Sequence, residues 1–456
     1  MTRLVWLALL VAACGQVSVV PPDAAIDAPT PTFATISPTS GIVTTMVTIT
    51  GTNFGSTKGI VTIGGIDAMV TSWTDTSIEV AVPNILPQMA DVRVMTAFGV
   101  GLMGSQQFQV VLPPVVYIHN GASDPTFGSD TITMLQWNPT MMTLTAVTPN
   151  IPTGMDPSQF GGCDTSIYIH TASRRLFVTG LQGLAVFDID PVTGALAPIP
   201  GSPFVATGAT DLLGIEVNKA ATRLWSPSFQ SNALIVYDLA ADGTATQTTG
   251  SPFAISAEPD VAVLSSDETY LYVNTEADVF TGFTTADTTA LTGAPYTQGF
   301  FSYFMARRPQ SEQIFIPGGL GTGELSIWEP DPTTGVPTQA SGSPYTLTGI
   351  TEPNGTAFSP DGNHVYLINF RSATVAEFAL STAGVPSAVA GSPVTVAAGF
   401  QGACPAVTAD DKFLVVAGLT SVAVMSLAAT GAATSVTGSP FAFSASHNTN
   451  GIALTF

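Results

Sequence analysis

Three acidic side chains recur at one position of a repeated unit, and carboxylates placed in this way could bind a ligand. They are Asp211, Glu258 and Glu352. If the units surround a channel, these carboxylates meet at one opening, where they would raise one another's pKa or bind a cation. The alternative is that they are solvated or hydrogen-bonded, and the alignment places Glu352 opposite Arg371, which would form a cross-strand salt bridge with it. We predict that these four residues belong to a ligand site at the channel opening.

Two histidines, His119 and His447, are predicted to lie at the same opening, and we include them in the ligand site. Imidazole and carboxylate groups could together ligate a metal ion. Their spacing in the sequence is not compact, so we predict neither a metal site nor a cofactor. The sequence contains no Gly-x-Ser-x-Gly, P-loop or His-Glu-x-x-His motif, and no catalytic residue is assigned.

A recurring tetrapeptide marks the repeated unit, and its prolines are 49, 43, 49, 49 and 47 residues apart. A period of about 40–50 residues with several short strands per unit is typical of a β-propeller. The six copies are Gly201-Ser202-Pro203-Phe204, Gly250-Ser251-Pro252-Phe253, Gly293-Ala294-Pro295-Tyr296, Gly342-Ser343-Pro344-Tyr345, Gly391-Ser392-Pro393-Val394 and Gly438-Ser439-Pro440-Phe441.

The clearest unit predicts four strands in series. Residues 355–369 would contain the inner and second strands, Thr374–Leu380 the third strand, and residues 387–394 the outer strand. Six complete units are flanked by two fragments, residues 115–120 and 451–456. Joined, the fragments complete a seventh blade and close the ring, which removes exposed strand edges. We therefore predict an all-β protein in which residues 115–456 form a seven-bladed propeller closed by the C-terminal strand.

The first residues have the pattern of a secretory signal. The apolar stretch at residues 4–13 is shorter than the ~20 residues needed to span a bilayer. Val11-Ala12-Ala13-Cys14 resembles a bacterial lipobox, and this resemblance implies a lipoprotein signal peptide at residues 1–13 with lipidation of Cys14. Gly15 at the next position implies an outer-membrane destination. An ordinary signal peptide is the alternative.

The segment before the repeats has two parts. Residues 14–31 are rich in Pro, Ala and Asp, which predicts an extended linker. Residues 32–111 contain short β-branched runs separated by Gly, Asn and Pro. Within them, Ile36-Ser37-Pro38-Thr39-Ser40-Gly41 and Ile49-Thr50-Gly51-Thr52-Asn53-Phe54-Gly55 resemble the opening of an IPT/TIG domain. The resemblance implies an immunoglobulin-like sandwich that serves as a spacer or interaction module.

The repeats resemble the seven-bladed lactonase-like propellers of the 6-phosphogluconolactonase type, which have YVTN-like repeats. The resemblance is carried by residues 358–380, beginning FSPDGNHVYLINF, and by the turns Asp190-Pro191-Val192-Thr193-Gly194 and Asp331-Pro332-Thr333-Thr334-Gly335. It implies a lactonase fold and, as one possible activity, lactone hydrolysis. The family's His-rich or Arg-His segments before inner strands are replaced here by Glu258-Pro259-Asp260 and Glu352-Pro353-Asn354, so no catalytic residue is transferred.

Two cysteines remain if Cys14 is lipidated. Cys163 and Cys404 are predicted to lie two blades apart near the same opening. A disulfide requires Cα atoms within about 7 Å. We predict that both are free thiols.

Charge excludes some classes of partner. The chain has 11 Lys and Arg against 32 Asp and Glu, a net charge of −21, which argues against nucleic acid and against a basic membrane-binding face. We predict a monomeric envelope protein, periplasmic or surface-facing, anchored to the membrane by lipid. Its propeller would be a non-enzymatic module for a small-molecule, glycan or protein ligand. A lactone hydrolase and a purely structural envelope component are the alternatives.

Overall fold

The structure is a computed structural model that describes residues 30–97, 106–121, 130–156, 163, 165–255, 258–319, 321, 323–369, 372–398, 400–443 and 448–456. The regular elements of these segments are β-strands and one turn of 3-10 helix, Thr171–Ser173. Nowhere among the described residues is there a helix with the length and apolar character needed to cross a membrane. The predicted all-β class is confirmed.

The first domain is a sandwich of two sheets, as predicted. One sheet has the order β1-β3-β7-β6 and the other the order β2-β9-β8-β4-β5. Alternate side chains such as Val47, Ile49, Val61 and Ile63 are fully buried between the sheets, as the period-2 pattern requires. The strands are β1 Thr32–Ser37, β2 Ser40–Gly41, β3 Met46–Thr52, β4 Ile60–Ile63, β5 Ile66–Asp67, β6 Met69–Trp73, β7 Ser77–Ala81, β8 Gln88–Met95 and β9 Gln106–Val110.

The remaining strands form seven antiparallel sheets, which are the blades of a propeller. Blades 1 to 6 follow one another along the chain, and each begins with its inner strand. Blades 1 to 3 contain β13 Ile167–His170, β14 Arg175–Gly180, β15 Gly183–Ile189, β16 Leu196–Pro198 and β17 Phe204–Val205; β18 Glu216–Val217, β19 Arg223–Ser228, β20 Ala233–Leu239, β21 Ala245–Gln247 and β22 Phe253–Ala254; and β23 Pro259–Leu264, β24 Tyr270–Thr275, β25 Val279–Thr284 and β26 Tyr296–Thr297.

Blades 4 to 6 repeat this arrangement, and blade 7 combines strands from both ends of the propeller sequence. Blades 4 to 6 contain β27 Ala306–Arg307, β28 Ile314–Pro317, β29 Glu324–Pro330, β30 Pro337–Gln339 and β31 Tyr345–Thr346; β32 Pro353–Phe358, β33 His364–Asn369, β34 Thr374–Leu380, β35 Pro386–Ala388 and β36 Val394–Thr395; and β37 Gly402–Val407, β38 Phe413–Gly418, β39 Ser421–Leu427, β40 Ala433–Ser435 and β41 Phe441–Ala442. Blade 7 contains β42 Asn448–Leu454, β10 Val115–Gly121, β11 Thr131–Asn138 and β12 Thr143–Pro152.

Ring closure occurs in blade 7, as predicted. The C-terminal strand β42 is antiparallel to β10, with Val116 opposite Leu454 and Ile118 opposite Ile452. Beyond the strand, the Thr455 hydroxyl accepts a hydrogen bond from the Val115 N–H at 2.8 Å. The first and last strands of the propeller are therefore neighbours in one sheet.

The outer edge of each complete blade differs from the prediction. Residues 387–394 were expected to form one outer strand, but β35 and β36 are separate and pair with opposite ends of β34. The break falls at the recurring tetrapeptide, where the Ser392–Pro393 peptide bond is cis. Proline has no N–H to donate to a neighbouring strand. In its place the Ser392 hydroxyl accepts a hydrogen bond from the Glu377 N–H at 2.8 Å.

The same serine recurs in four other blades. Ser202, Ser251, Ser343 and Ser439 each accept a hydrogen bond from the fourth residue of their third strand, at 2.8 to 3.0 Å. Blade 3 has Ala294 at this position. In the third strand of blade 3, Gly282 occupies the position that Glu377 occupies in blade 5. The two positions are equivalent because each carbonyl accepts the corresponding outer-edge N–H, from Leu291 in blade 3 and from Val389 in blade 5. The tetrapeptide therefore has a structural role, in which the serine hydroxyl oxygen takes the place of a backbone acceptor for the third strand.

A matched pair of substitutions tests this role. Ser392→Ala removes the acceptor of the Glu377 N–H and is expected to lower the free energy of unfolding by about 1–2 kcal/mol. Ala294→Ser supplies the missing acceptor in blade 3 and is expected to raise it by about 0.5–1 kcal/mol. Denaturant titration of both variants measures the two changes. Equal stability of all three proteins would contradict the assignment.

Candidate functional site

The starts of the inner strands and the ends of the second strands lie at one end of the channel, which we call the mouth. His119, near the end of β10, was predicted to be part of a ligand site there, but its side chain is only 1% exposed. Its Nδ1 lies 2.7 Å from Ser166 Oγ, and its Nε2 lies 2.7 Å from Asp130 Oδ1. Ser166 and Asp130 are equally buried. These three residues have the spacing of a Ser-His-Asp triad.

This triad has a structural role. The Ser166 hydroxyl donates a hydrogen bond to the Asn450 carbonyl at 3.0 Å, and Asp130 Oδ2 accepts one from the Thr153 hydroxyl at 3.0 Å. The network thus joins strands β10 and β42 of blade 7 to the beginning of blade 1. A nucleophilic serine must be reachable by substrate and must lose its proton to the histidine. Ser166 is 2% exposed and directs its proton to a backbone carbonyl instead.

The predicted carboxylates have three different environments. Asp211 is fully buried with a left-handed backbone (φ +63°), and its carbonyl accepts the Phe229 N–H. Glu258 is exposed, whereas Glu352 is half-buried and its N–H donates to Asn369 Oδ1 at 3.0 Å. Three further predicted residues lie outside the described part of the chain. They are Arg371, His447 and Cys14.

A carboxylate that the sequence analysis did not select lies beside Glu258. Glu276 follows the second strand of blade 3, and its N–H donates to the Glu258 carbonyl at 2.9 Å. Burial raises the pKa of the half-buried Glu276 carboxyl to about 7, and the negative charge of Glu258 contributes in the same direction. The acidic residues predicted from the repeat all lie at the beginnings of inner strands. Glu276 lies instead on the loop after a second strand, and it was therefore not predicted. The one sequence feature that could have identified Glu276 is its position two residues after Asn274, since an asparagine recurs at the ends of second strands.

Two aromatic rings belong to the same sector of the mouth. The Asn274 side-chain amide donates to the Ser302 carbonyl at 2.9 Å and so connects blade 3 to blade 4. Phe301 and Tyr303 flank this serine, are half-buried, and meet edge to face with ring centroids 4.6 Å apart. Asn274 is fully buried, and its Oδ1 has no hydrogen-bond partner in the described part of the chain. We call Glu258, Asn274, Glu276, Phe301 and Tyr303 the mouth cluster.

The mouth cluster combines two kinds of binding group with one buried amide. A carboxyl with a pKa of about 7 can donate or accept a hydrogen bond near neutral pH, and it can also act as a general base. The aromatic faces attract polarised C–H groups through their negative quadrupole. The buried Asn274 amide holds the Ser302 carbonyl between the two rings. Within the described segments, no three His, Cys, Asp or Glu side chains are placed to hold a metal ion together.

The two cysteines of the propeller are both buried, and no disulfide joins them. Both pack in the hydrophobic cluster that includes Val261 and Phe304. The prediction that they form no disulfide is confirmed. Neither thiol belongs to the mouth cluster.

Comparison with known proteins assigns the first domain. Residues 31–110 match the IPT/TIG domain family. An 82-residue stretch is 35% identical to a cyclomaltodextrin glucanotransferase from Geobacillus stearothermophilus. That stretch covers 18% of this chain and 12% of the length of that enzyme. The likeness therefore spans only a small part of either protein.

Solved structures resemble the propeller. A protein from Lactobacillus plantarum superposes with a TM-score of 0.60 at 17% identity, over 75% of this chain and 99% of that one. A Bacteroides uniformis protein provisionally named a 6-phosphogluconolactonase gives 0.59 at 16%, and the periplasmic gluconolactonase of Pseudomonas aeruginosa gives 0.58 at 14%. Both also cover 75% of this chain and 99% of their own. The chain thus consists of an IPT/TIG domain followed by a seven-bladed propeller with the fold of lactonase-like proteins.

Proposed function

We propose that the mouth cluster binds a neutral, polyhydroxylated ring compound, a sugar or a sugar lactone. The observation that carries the proposal is that one blade end holds two carboxylic acids and is bonded to an aromatic pair. Glu276 N–H bonds to the Glu258 carbonyl, and the Asn274 amide bonds to Ser302, which lies between the half-buried Phe301 and Tyr303. Carboxyl groups hydrogen-bond to ring hydroxyls, while an aromatic face packs on the C–H face of the ring.

Charge supports a ligand without a phosphate group. The mouth cluster contains two carboxylic acids, Glu258 and Glu276, and no basic side chain, so a phosphate beside it would be repelled. The blade 4 arginines, Arg307 and Arg308, lie at the other end of their inner strand. Arg371 is near the mouth in sequence, so its replacement by glutamine forms one arm of the test below.

Lactone hydrolysis is the second candidate, favoured by the pKa of Glu276. Above a pH of about 7 its carboxylate can take a proton from water. The water oxygen then bonds to the lactone carbonyl carbon. The ring C–O bond breaks as the protonated Glu276 returns its proton to the departing ring oxygen, and a hydroxy acid is released. Glu276 has the role of base in this reaction. The solved lactonase-like structures share the fold in which this chemistry would occur.

One set of variants tests both functions. Calorimetric titration with glucono-lactone and with neutral sugars is expected to show binding that weakens about tenfold in Glu276→Gln and in Tyr303→Ala, since each loses one main contact. The controls lie outside the mouth and should bind as the parent protein does. They are Glu79→Gln, at an exposed residue, and Tyr345→Ala, at a residue that is half-buried like Tyr303. Unchanged binding in both mouth variants would contradict the proposal.

The pH profile of lactone hydrolysis separates the two functions. If Glu276 is the base, the rate should rise as the pH passes about 7, and Glu276→Gln should abolish this rise. Binding without hydrolysis in the parent protein supports the binding function alone. A 6-phosphorylated lactone is expected to bind more weakly than the neutral one. Equal or tighter binding that is lost in Arg371→Gln would contradict the charge argument.

We propose further that the protein is held at the cell envelope by lipid on Cys14. The support is the lipobox-like sequence Val11-Ala12-Ala13-Cys14, followed by a Pro-rich linker. Cys14→Ser is expected to abolish acyl labelling and to release the protein from the membrane fraction. The matched control is Cys163→Ser, which lies in the propeller and should leave labelling unchanged. Membrane retention of the Cys14→Ser protein would refute the anchor.

A further inference from the structure

The channel contains a cavity of about 310 Å³ that is separate from the mouth cluster. Its walls come from the inner-strand segments of blades 1 to 4, and no member of the mouth cluster lines it. At roughly 30 Å³ per water-sized volume, it can accommodate about ten non-hydrogen atoms. A molecule the size of benzoate or octanoate fits this space.

Most of the cavity wall is apolar. Burying apolar ligand atoms against such a wall yields about 25 cal/mol per Å² of surface removed from water. The apolar lining residues are Ile167, Ile215, Val261, Ala262, Val263, Leu264, Phe304, Met305 and Ala306. The ligand's body should therefore be hydrocarbon and not polyhydroxylated, which distinguishes this cavity from the mouth.

Three polar side chains lie at the cavity's end away from the mouth, Tyr168, Glu216 and Arg307. Glu216 Oε1 accepts the Leu264 N–H at 3.1 Å, and Arg307 Nη1 donates to the Ser311 carbonyl at 2.8 Å. The two side chains interact electrostatically, yet they form no ion pair within 4.0 Å in the described structure. The acid and the guanidinium therefore do not neutralise each other by direct contact, and both line the cavity.

Glu216 is suited to donate a proton in this position. Burial raises the pKa of its carboxyl to about 7, opposed by the charge of Arg307 and assisted by that of Glu268. A neutral Glu216 offers an O–H donor, and Arg307 offers charged N–H donors. A carboxylate is the common group that accepts from both, because its two oxygens match the guanidinium fork.

We infer that the channel cavity is a second ligand site, which binds a small monocarboxylic acid with an apolar body. The carboxylate lies between Glu216 and Arg307, and the hydrocarbon packs against Ile215, Val261 and Phe304. The site is independent of the proposed sugar or lactone site, since the two share no residue.

Titration calorimetry with benzoate and octanoate on the full chain tests the inference, with benzamide and octanol as neutral counterparts. Arg307→Met keeps the volume of the side chain and removes its charge, so acid binding should weaken at least tenfold while the neutral compounds bind as before. Arg223→Met is the matched control, because Arg223 pairs with Asp238 outside the cavity. Tyr303→Ala should leave acid binding intact and thereby separates this site from the mouth.

A filling substitution provides the second measurement. Ala306→Trp places a large ring in the cavity and should abolish binding of acids and neutral compounds alike; Ala306→Leu, a smaller change, should weaken both if the tryptophan variant does not fold. The inference is overturned if neither acid binds the parent protein, if Arg307→Met binds acids as tightly as the parent, or if a folded Ala306 variant binds undiminished.

Discussion

Removal of residues 448–456 is expected to leave a protein that aggregates instead of folding. The deletion eliminates β42, which forms six registered residue pairs with β10 and provides the Asn450 carbonyl for Ser166. At a net ~1 kcal/mol per backbone hydrogen bond, the loss is comparable to the whole stability of a typical domain. It also exposes the edge of β10 in a chain with only 9% charged residues to oppose edge-to-edge association.

Soluble yield and light scattering of the truncated chain measure this effect. A synthetic peptide of residues 448–456, added during refolding, should restore part of the soluble fraction, because the missing strand can pair in trans. A scrambled peptide of the same composition is the control. A truncated chain with the parent's solubility and melting temperature would show that closure contributes little.

Breaking the buried His119–Asp130 pair is expected to be the most damaging single substitution. Asp130→Leu leaves the buried His119 imidazole without its hydrogen-bond partner. Loss of one partner of a buried pair costs about 3–5 kcal/mol of stability. Replacing both residues by leucine should cost less than the sum of the two single changes, since no unpaired polar group remains. The control is the pair of Arg175 and Asp188, in which the Asp188 carboxylate is exposed, and Asp188→Asn should cost under about 1 kcal/mol.

Denaturant unfolding of His119→Leu, Asp130→Leu, the double variant and Asp188→Asn, each compared with the parent protein, measures these costs. Ser166→Ala adds a test of function. If the Ser166 hydroxyl is only structural, the folded fraction of this variant should retain any lactone hydrolysis that the parent protein shows. A specific loss of that activity in Ser166→Ala, at parental stability, would instead identify the triad as catalytic. Additive costs for His119→Leu and Asp130→Leu would contradict the coupling.

The repeat pattern predicted the architecture because each of blades 1 to 6 is a local unit. The tetrapeptide recurs at nearly constant spacing, so blade number and ring closure followed from counting. The cis bond at Ser392–Pro393 and the broken outer strand did not follow, since the serine's role depends on its contact with the Glu377 N–H in a strand 15 residues earlier. Periodicity locates an element but does not report what completes its hydrogen bonds.

Side-chain environments were less predictable than strands. Asp211, Glu258 and Glu352 occupy equivalent positions, yet one is fully buried, one exposed and one half-buried, because the adjoining loops differ from blade to blade. Glu276 acquired its perturbed pKa from burial on a loop that the alignment did not compare. The buried Ser-His-Asp triad could not be predicted from the sequence either. His119, Asp130 and Ser166 meet only in the folded ring, with Asn450 as the fourth participant.

The shared sheet of β10 and β42 also sets an order of events during synthesis. The sandwich is complete once Val110 has been made. β10 must wait for β42, which is complete only at Leu454, 344 residues after the end of β9. At about 5–20 residues per second, that interval lasts on the order of tens of seconds. Throughout it the nascent propeller is an open arc, and a chaperone or an export machinery that holds the chain until its last strand emerges would protect it from association with other chains.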